Sequence, residues 1–199
     1  EEELEDVLLE ARVDRGHQHL YVHLPDRTIV YDETASGVLE EPVWFTLTSS
    51  IDGFSKYRAR NLVWCYNQWL CGDPDASRVG VLVNHVADHY GDTVRWEFGT
   101  LMVYNKGKGA IVHQLELVCI TGRVAFGTDP QISTSYSKDG ETWSQDKSKK
   151  VGQYGDRLKR IVWLKQGNMR NWRVQRFRGD SQAFISIARL EAELEPLMV

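Results

Sequence analysis

Hydrophobic and polar positions along this chain alternate with a period of two far more often than they recur at helical spacing, which predicts extended segments. From Gly16 onward Leu20, Val22 and Leu24 fall on one face, while His17, His19, Tyr21 and His23 fall on the other. Pro25-Asp26 ends this segment, Thr28 to Tyr31 forms the next, and Asp32 to Gly37 is expected to turn. Short strands are predicted over 43–49, 60–66, 68–71, 79–84 and 93–98, with turns at Asp52-Gly53, Gly72-Asp73-Pro74 and Gly91-Asp92 between them. Beyond Gly99 the segments lengthen. Residues 112–121 form an apolar stretch with Leu115, Leu117 and Cys119 on one face, and strands follow over 131–137, 158–165, 172–178 and 183–190. Helical spacing shows mainly in the acidic opening, where Leu4, Leu8 and Ala11 predict a short helix or a loop over 1–11.

Strands at this spacing, with Trp44, Trp64, Trp69 and Trp96 recurring among them, suggest an all-β protein built as propeller blades or as a sandwich. Periodicity does not choose between the two. No exact internal repeat is visible, which weakens a regular propeller.

At 199 residues the chain fits one large or two small domains. No run approaches the length of a membrane-spanning helix, and no apolar opening segment with a cleavage site is present. The first residue is Glu, which reads as a fragment or a processed product. Cys65, Cys71 and Cys119 form an odd set without CxxC spacing, which argues against a disulfide framework or a zinc ribbon and for a reducing compartment.

Charge is divided along the chain. Residues 1–100 hold 8 basic and 18 acidic side chains, a net −10, and the remainder hold 16 and 10, a net +6. Between Lys147 and Arg178 there are 11 basic residues and one acid, Asp156. Such polarity can steer partners, or can be no more than a solvated strand face.

The stretch from Ser137 to Trp143 is a hairpin tip by its residues. Gly140 tolerates the positive φ of a tight turn, the side chains of Ser137, Asp139 and Thr142 can bond turn amides, and Trp143 can pack beneath them. Lys147 to Asp156 then reads as a basic, mobile loop. In the arginine-rich strand after it, Trp172, Val174, Arg176 and Arg178 share one face, and Arg173, Gln175 and Phe177 share the other.

Candidate chemistry is thin. His17, His19 and His23 share a face, but their positions spread over about 20 Å at ~3.3 Å per residue, too far for one ion unless the strand bends. His85 and His89 read as surface loop residues. Gly107-Lys108-Gly109 reads as a hairpin tip and not as a phosphate cradle. No nucleophile elbow or dinucleotide fingerprint appears, so no catalytic set, metal or cofactor is expected.

The order of motifs resembles the packaged-DNA stabilisation proteins of short-tailed bacteriophages, the tail hub or nozzle subunits below the portal. Gly16-His17, Tyr21, Leu24-Pro25, Thr28 and Tyr31-Asp32 are similar to a blade of that family. The resemblance runs on through Tyr90-Gly91-Asp92, Arg95, Glu97, Leu115 to Gly122, Ser137 to Trp143, Gly152, Gly155, Arg157, Trp163, Gly167, Arg170 and Arg176-Phe177-Arg178. It implies partial β-propeller blades over 1–103 and a sandwich-like antiparallel part with a basic loop over 104–199, from the C-terminal portion of such a subunit. It also implies a non-enzymatic role in the virion tail, assembled in the host cytoplasm: a homo-oligomeric ring that closes the portal vertex after packaging, stabilises the DNA and extends its conduit. Portal or adaptor proteins and distal tail proteins would be partners, and double-stranded DNA a transient one. The family usually shows a second Gly in the hairpin tip, where this chain has Glu141, so the turn type departs from the pattern.

The heptad at 137–143 also resembles the Asp-box of sialidases and glycan-binding proteins. A glycosidase would need converging carboxylates or a Tyr-Glu pair with an arginine cluster, whereas the arginines here crowd one hairpin and the Asp-box has no second copy. For subunit or DNA contact the candidates are Lys149, Lys150, Arg157, Lys159, Arg160, Arg170, Arg173, Arg176 and Arg178. Neither face of the arginine strand is wholly basic, which favours contact with a subunit or tail partner over DNA.

Overall fold

A computed structural model describes residues 6–52 and 55–197 and divides the chain into two compact units, Glu1–Arg95 and Trp96–Val199. The first unit holds a four-stranded antiparallel meander of β1 (Leu8–Asp14), β2 (His17–His23), β3 (Thr28–Asp32) and β4 (Val43–Leu47). A helix, α1 (Glu33–Leu39), links β3 to β4. A three-stranded sheet follows, of β5 (Arg60–Cys65), β6 (Gln68–Gly72) and β7 (Val79–Leu82). Tyr21, Val30, Tyr57, Ala59 and Cys71 form the core of this unit.

Two expectations are corrected here. Residues 8–14 are a strand, not helix or loop; Leu4 lies outside the described residues, as does Gly53 of the expected Asp52-Gly53 turn. Helical spacing misleads because the more covered face of β1 is polar: Glu10, Arg12 and Asp14 are half-buried, while Leu9 and Val13 are exposed. Residues 33–39 are a helix where a turn was expected, because Asp32 caps it. Asp32 Oδ1 accepts the Ala35 N–H at 2.9 Å, and Glu33 places a negative charge in the first turn. Ser36, on the buried side of the helix, donates to Asp32 O and accepts the Val43 N–H at 2.9 Å.

Polar side chains fasten this unit internally. Glu10 accepts the backbone N–H groups of Asn61 (3.1 Å) and Leu62 (2.5 Å), and its Oε2 lies 3.0 Å from Nε2 of the fully buried His23. Arg58 and Arg78 both donate to Asp73 and flank the Tyr90 ring at 5.2 and 4.7 Å. Their hydrogen bonds, Arg58's first, hold the Asp73 carboxyl well below the usual carboxylate range. His89 is not a free surface residue: Nδ1 is 2.7 Å from Ser49 Oγ, the ring meets Tyr57 edge-on, and burial pushes its pKa down.

The second unit is a sandwich. It contains β8 (Arg95–Gly99), β9 (Val103–Tyr104), β10 (Ala110–Ile120), β11 (Gln131–Ser137), β12 (Lys147–Lys150), β13 (Ile161–Leu164), β14 (Asn168–Met169), β15 (Trp172–Asp180) and β16 (Ser186–Pro196). In one sheet β10 is central, with β16 along one edge and β13 and β14 on the other. The other runs β12-β11-β15-β8, with β9 also paired to β15. Inward residues of both sheets meet in one core that includes Leu115, Leu117, Ile132, Ile161, Trp163 and Phe177, with the Trp163 and Phe177 rings 5.6 Å apart. In the central strand β10 Val112, Leu115 and Leu117 are buried, and the register with β16 shifts between Val112 and Gln114, where His113 is exposed.

The expected mobile loop over 147–156 is also corrected, over its first four residues. Lys147–Lys150 is a strand paired with β11, and Trp163 Nε1 donates to Lys147 O at 2.8 Å. Val151, which follows, is buried, and its N–H donates to Pro130 O at 3.0 Å. Local polarity suggested a loop because every side chain of β12 is exposed, but the backbone pairing makes it a strand.

Candidate functional site

The predicted hairpin tip and arginine strand lie side by side in one sheet, since β11 pairs with β15 through Ser133↔Arg178, Ser135↔Arg176 and Ser137↔Val174. At the tip, Ser137 Oγ accepts the Gly140 N–H at 2.8 Å and donates to Asp139 Oδ1 at 2.9 Å. Asp139 Oδ1 also accepts the N–H groups of Glu141 (3.0 Å) and Thr142 (2.8 Å), and the Thr142 hydroxyl bonds the other oxygen. Hydrogen bonds from Thr142 and Ser137 and from the turn amides hold the Asp139 carboxyl well below its ordinary range. Gly140 has φ of +84°, the left-handed conformation that glycine adopts at least cost. Trp143 is half-buried, with the guanidinium of Arg176 3.8 Å from its ring centre.

The nine candidate contact residues separate into three kinds. Arg173 lies in the core at 2% exposure, and burial lowers its pKa to about 10. Nη1 donates to Gln166 O at 2.7 Å, Nε and Nη2 both reach Gln175 Oε1, and the guanidinium lies 3.9 Å from the Tyr136 ring centre. Its fork is thus spent inside the fold.

Four others sit at the surface with local partners. Arg176 reaches Ser135 Oγ as well as Trp143, and Arg178 pairs with Asp146. Arg160 grips Glu116 with two hydrogen bonds, and Lys150 pairs with Asp129. Burial works against the charge of Asp146, but hydrogen bonds from Arg178 and Ser135 and the charges of Arg178 and Arg176 together outweigh it and lower that pKa; the Arg160 hydrogen bond lowers that of Glu116.

Lys149, Arg157, Lys159 and Arg170 are the third kind. All are exposed, and among the described residues their side chains have no ion-pair partner. Arg157 and Lys159 stand on a loop whose backbone is held down. Gly155 N–H donates to Gly122 O at 3.1 Å, and the Thr121 hydroxyl donates to Asp156 O at 2.8 Å.

Alternation along β15 therefore sorted its faces as expected: Arg173, Gln175 and Phe177 are buried, and Arg176 and Arg178 are half-exposed. The arginines of β15 do not converge as a cluster that grips one ligand, because those of opposite faces point apart and Arg173, Arg176 and Arg178 each have separate partners. Sequence reasoning missed the acceptors Gln166 and Gln175, since nothing in the local pattern marks an interior polar network.

Residues 1–87 match a family model described as Bacteriophage P22 Gp10, beta-propeller, and residues 95–195 match one described as Bacteriophage P22 Gp10, beta-sandwich. The chain is similar to the tail hub protein gp10 of Salmonella phage P22, at 23% identity over 194 residues. That alignment covers 98% of this chain and 40% of the relative, so the chain spans about two fifths of the length of the curated protein it matches.

Proposed function

This chain belongs to the bacteriophage P22 Gp10 family, and from that premise we propose that it is part of a structural tail hub subunit of a short-tailed phage. The observation that carries this reading is the order of the two units, a propeller-type β region followed by a β-sandwich, matched along nearly the whole chain. The proposed subunit is non-enzymatic and resides in the virion tail. It forms a homo-oligomeric ring that closes the portal vertex, holds packaged DNA in place and extends the conduit, meeting portal or adaptor proteins on one side and distal tail proteins on the other.

Charge supports the assembly role. The acidic N-terminal half and the basic C-terminal half can meet between successive copies as a head-to-tail interface, which closes into a ring when the rotation allows. Of the nine candidates, Lys149, Arg157, Lys159 and Arg170, exposed and without an ion-pair partner among the described residues, can make that contact. Transient DNA passage asks only for weak contacts, which these four can also supply.

Native mass spectrometry tests the proposal, on the chain alone and mixed with the portal, adaptor and distal tail proteins of the same phage. Higher-order species that weaken when Lys149, Arg157 and Lys159 are replaced by Glu are expected. A monomer in every mixture would sink the reading. For the DNA contact, steep loss of binding with added salt is expected, and a flat isotherm excludes it.

A further inference from the structure

The histidine-bearing face of β2 takes no part in the arginine strand or the hairpin, and it carries a cluster of its own. His17 and His19 are two residues apart, so their side chains leave the same face of the strand. Asp32 of β3 stands opposite His19 in the antiparallel register. His17 Nδ1 lies 2.7 Å and His19 Nε2 3.4 Å from the same carboxylate oxygen, Asp32 Oδ2, and the three donor atoms all fall within 4.8 Å of one another. A histidine trio strung along one strand is too extended for an ion. A cross-strand carboxylate in place of the distant His23 removes that obstacle.

We propose that His17, His19 and Asp32 form a binding site for one divalent first-row transition ion of the zinc type. Two imidazoles and one carboxylate are a donor set such ions take, leaving room for solvent in the remaining positions. Metal–ligand bonds of about 2.0–2.1 Å place neighbouring donor atoms about 3.0–3.4 Å apart, a range that the His19–Asp32 spacing of 3.4 Å already meets. The 2.7 Å contact has to open slightly and the two imidazole donors, now within 4.8 Å of each other, have to draw to the same ion, an adjustment open to the His17 ring because its side chain is 48% exposed.

The surroundings hold the donors in place. Asp32 Oδ1 accepts the Ala35 N–H, which aims Oδ2 at the imidazoles, as outer hydrogen bonds do for metal-ligating carboxylates. The Thr34 hydroxyl accepts the Gln18 N–H at 3.0 Å and donates to Gly16 O at 3.2 Å, tying down the backbone on both sides of His17. Phe45 meets the His19 ring edge-on at 5.5 Å. On β1 the neighbours are Asp14, opposite His17, and Arg12, opposite His19. These two pair with each other at 3.2 Å, so their charges offset and the negative charge of Asp32 remains for a cation. A bound ion would cross-link β2 to β3 at the start of α1.

Titration of the untagged, metal-free 199-residue chain with Co²⁺, followed by visible absorption, and with Zn²⁺, followed by calorimetry, tests this. Saturable binding of one ion per chain, a cobalt ligand-field band and a raised thermal midpoint in zinc are expected. His17→Ala and His19→Ala should each weaken binding by about tenfold or more, while His113→Ala, outside the cluster, should bind as the unaltered chain does. Circular dichroism verifies folding, and His17→Ala, at a half-exposed position, decides the matter if His19→Ala unfolds. Absence of saturable binding, or binding that survives loss of His17, overturns the proposal and leaves the trio as a hydrogen-bonded anchor for the helix.

Discussion

The guanidinium of Arg176 lies 3.8 Å from the ring centre of Trp143, so the hairpin that follows β11 is clasped onto β15 by a side chain of the neighbouring strand. A cation over an indole contributes roughly 0.5–2 kcal/mol, depending on how far both are desolvated. In a double-mutant cycle of Arg176→Met and Trp143→Ala, urea denaturation should give a coupling energy of about 0.5–2 kcal/mol. Additive single effects would show that the two side chains stabilise the sheet independently.

Arg173 acts inside the fold, where it satisfies Gln166 O and Gln175 Oε1. Arg173→Met should destabilise the chain by roughly 2–4 kcal/mol, because buried acceptors are left without a donor. Arg157→Glu, at an exposed position, should stay within about 0.5 kcal/mol of the unaltered chain. Equal denaturation midpoints for the two variants would contradict an internal role for Arg173.

Asp139 gives the hairpin a pH dependence with a definite sign. Its folded-state pKa is depressed below the reference value of 3.8, so its contribution is present above that pH and is lost as pH falls below it. Asp139→Asn should therefore be less stable than the unaltered chain at neutral pH, and the gap should close as the solution is acidified below pH 3.8. A gap that stays constant through that window would mean the carboxylate charge is not what stabilises the tip.

Gly122 governs the loop that carries Arg157 and Lys159. At φ of +75° a Cβ on residue 122 would meet Asp156 backbone atoms at 2.8–2.9 Å. Gly122→Ala should cost about 1–3 kcal/mol through strain and should loosen the loop, so that trypsin cleaves after Arg157 or Lys159 faster than in the unaltered chain. Unchanged cleavage kinetics would show that the loop is held by other contacts.

Much of the fold is legible along the chain because it rests on local chemistry. Alternation located the longer strands from β2 onward but not β9, β12 or β14, and Ser137, Asp139 and Gly140 announced their turn because each of its bonds spans at most three residues. The same local reading failed where a neighbour sets the outcome. The polar inner face of β1 is stabilised by His23 and by the Asn61 and Leu62 amides, and β12 is a strand because β11 pairs with it. The capped start of α1 was a signal within reach, in Asp32 followed by Glu33, but Gly37 pulled the reading toward a turn.

Side-chain direction divides the two kinds of knowledge. Which residues of β15 share a face follows from the period of two and needs nothing beyond the chain. Which face is interior depends on the opposite sheet, where Trp163 packs on Phe177, and that contact places Arg173 in the core and leaves Arg176 and Arg178 nearer the surface. The gathering of His17, His19 and Asp32 likewise depends on the β2–β3 register. Spacing along one strand holds donors apart at fixed steps, and only pairing with a second strand brings a third donor within reach.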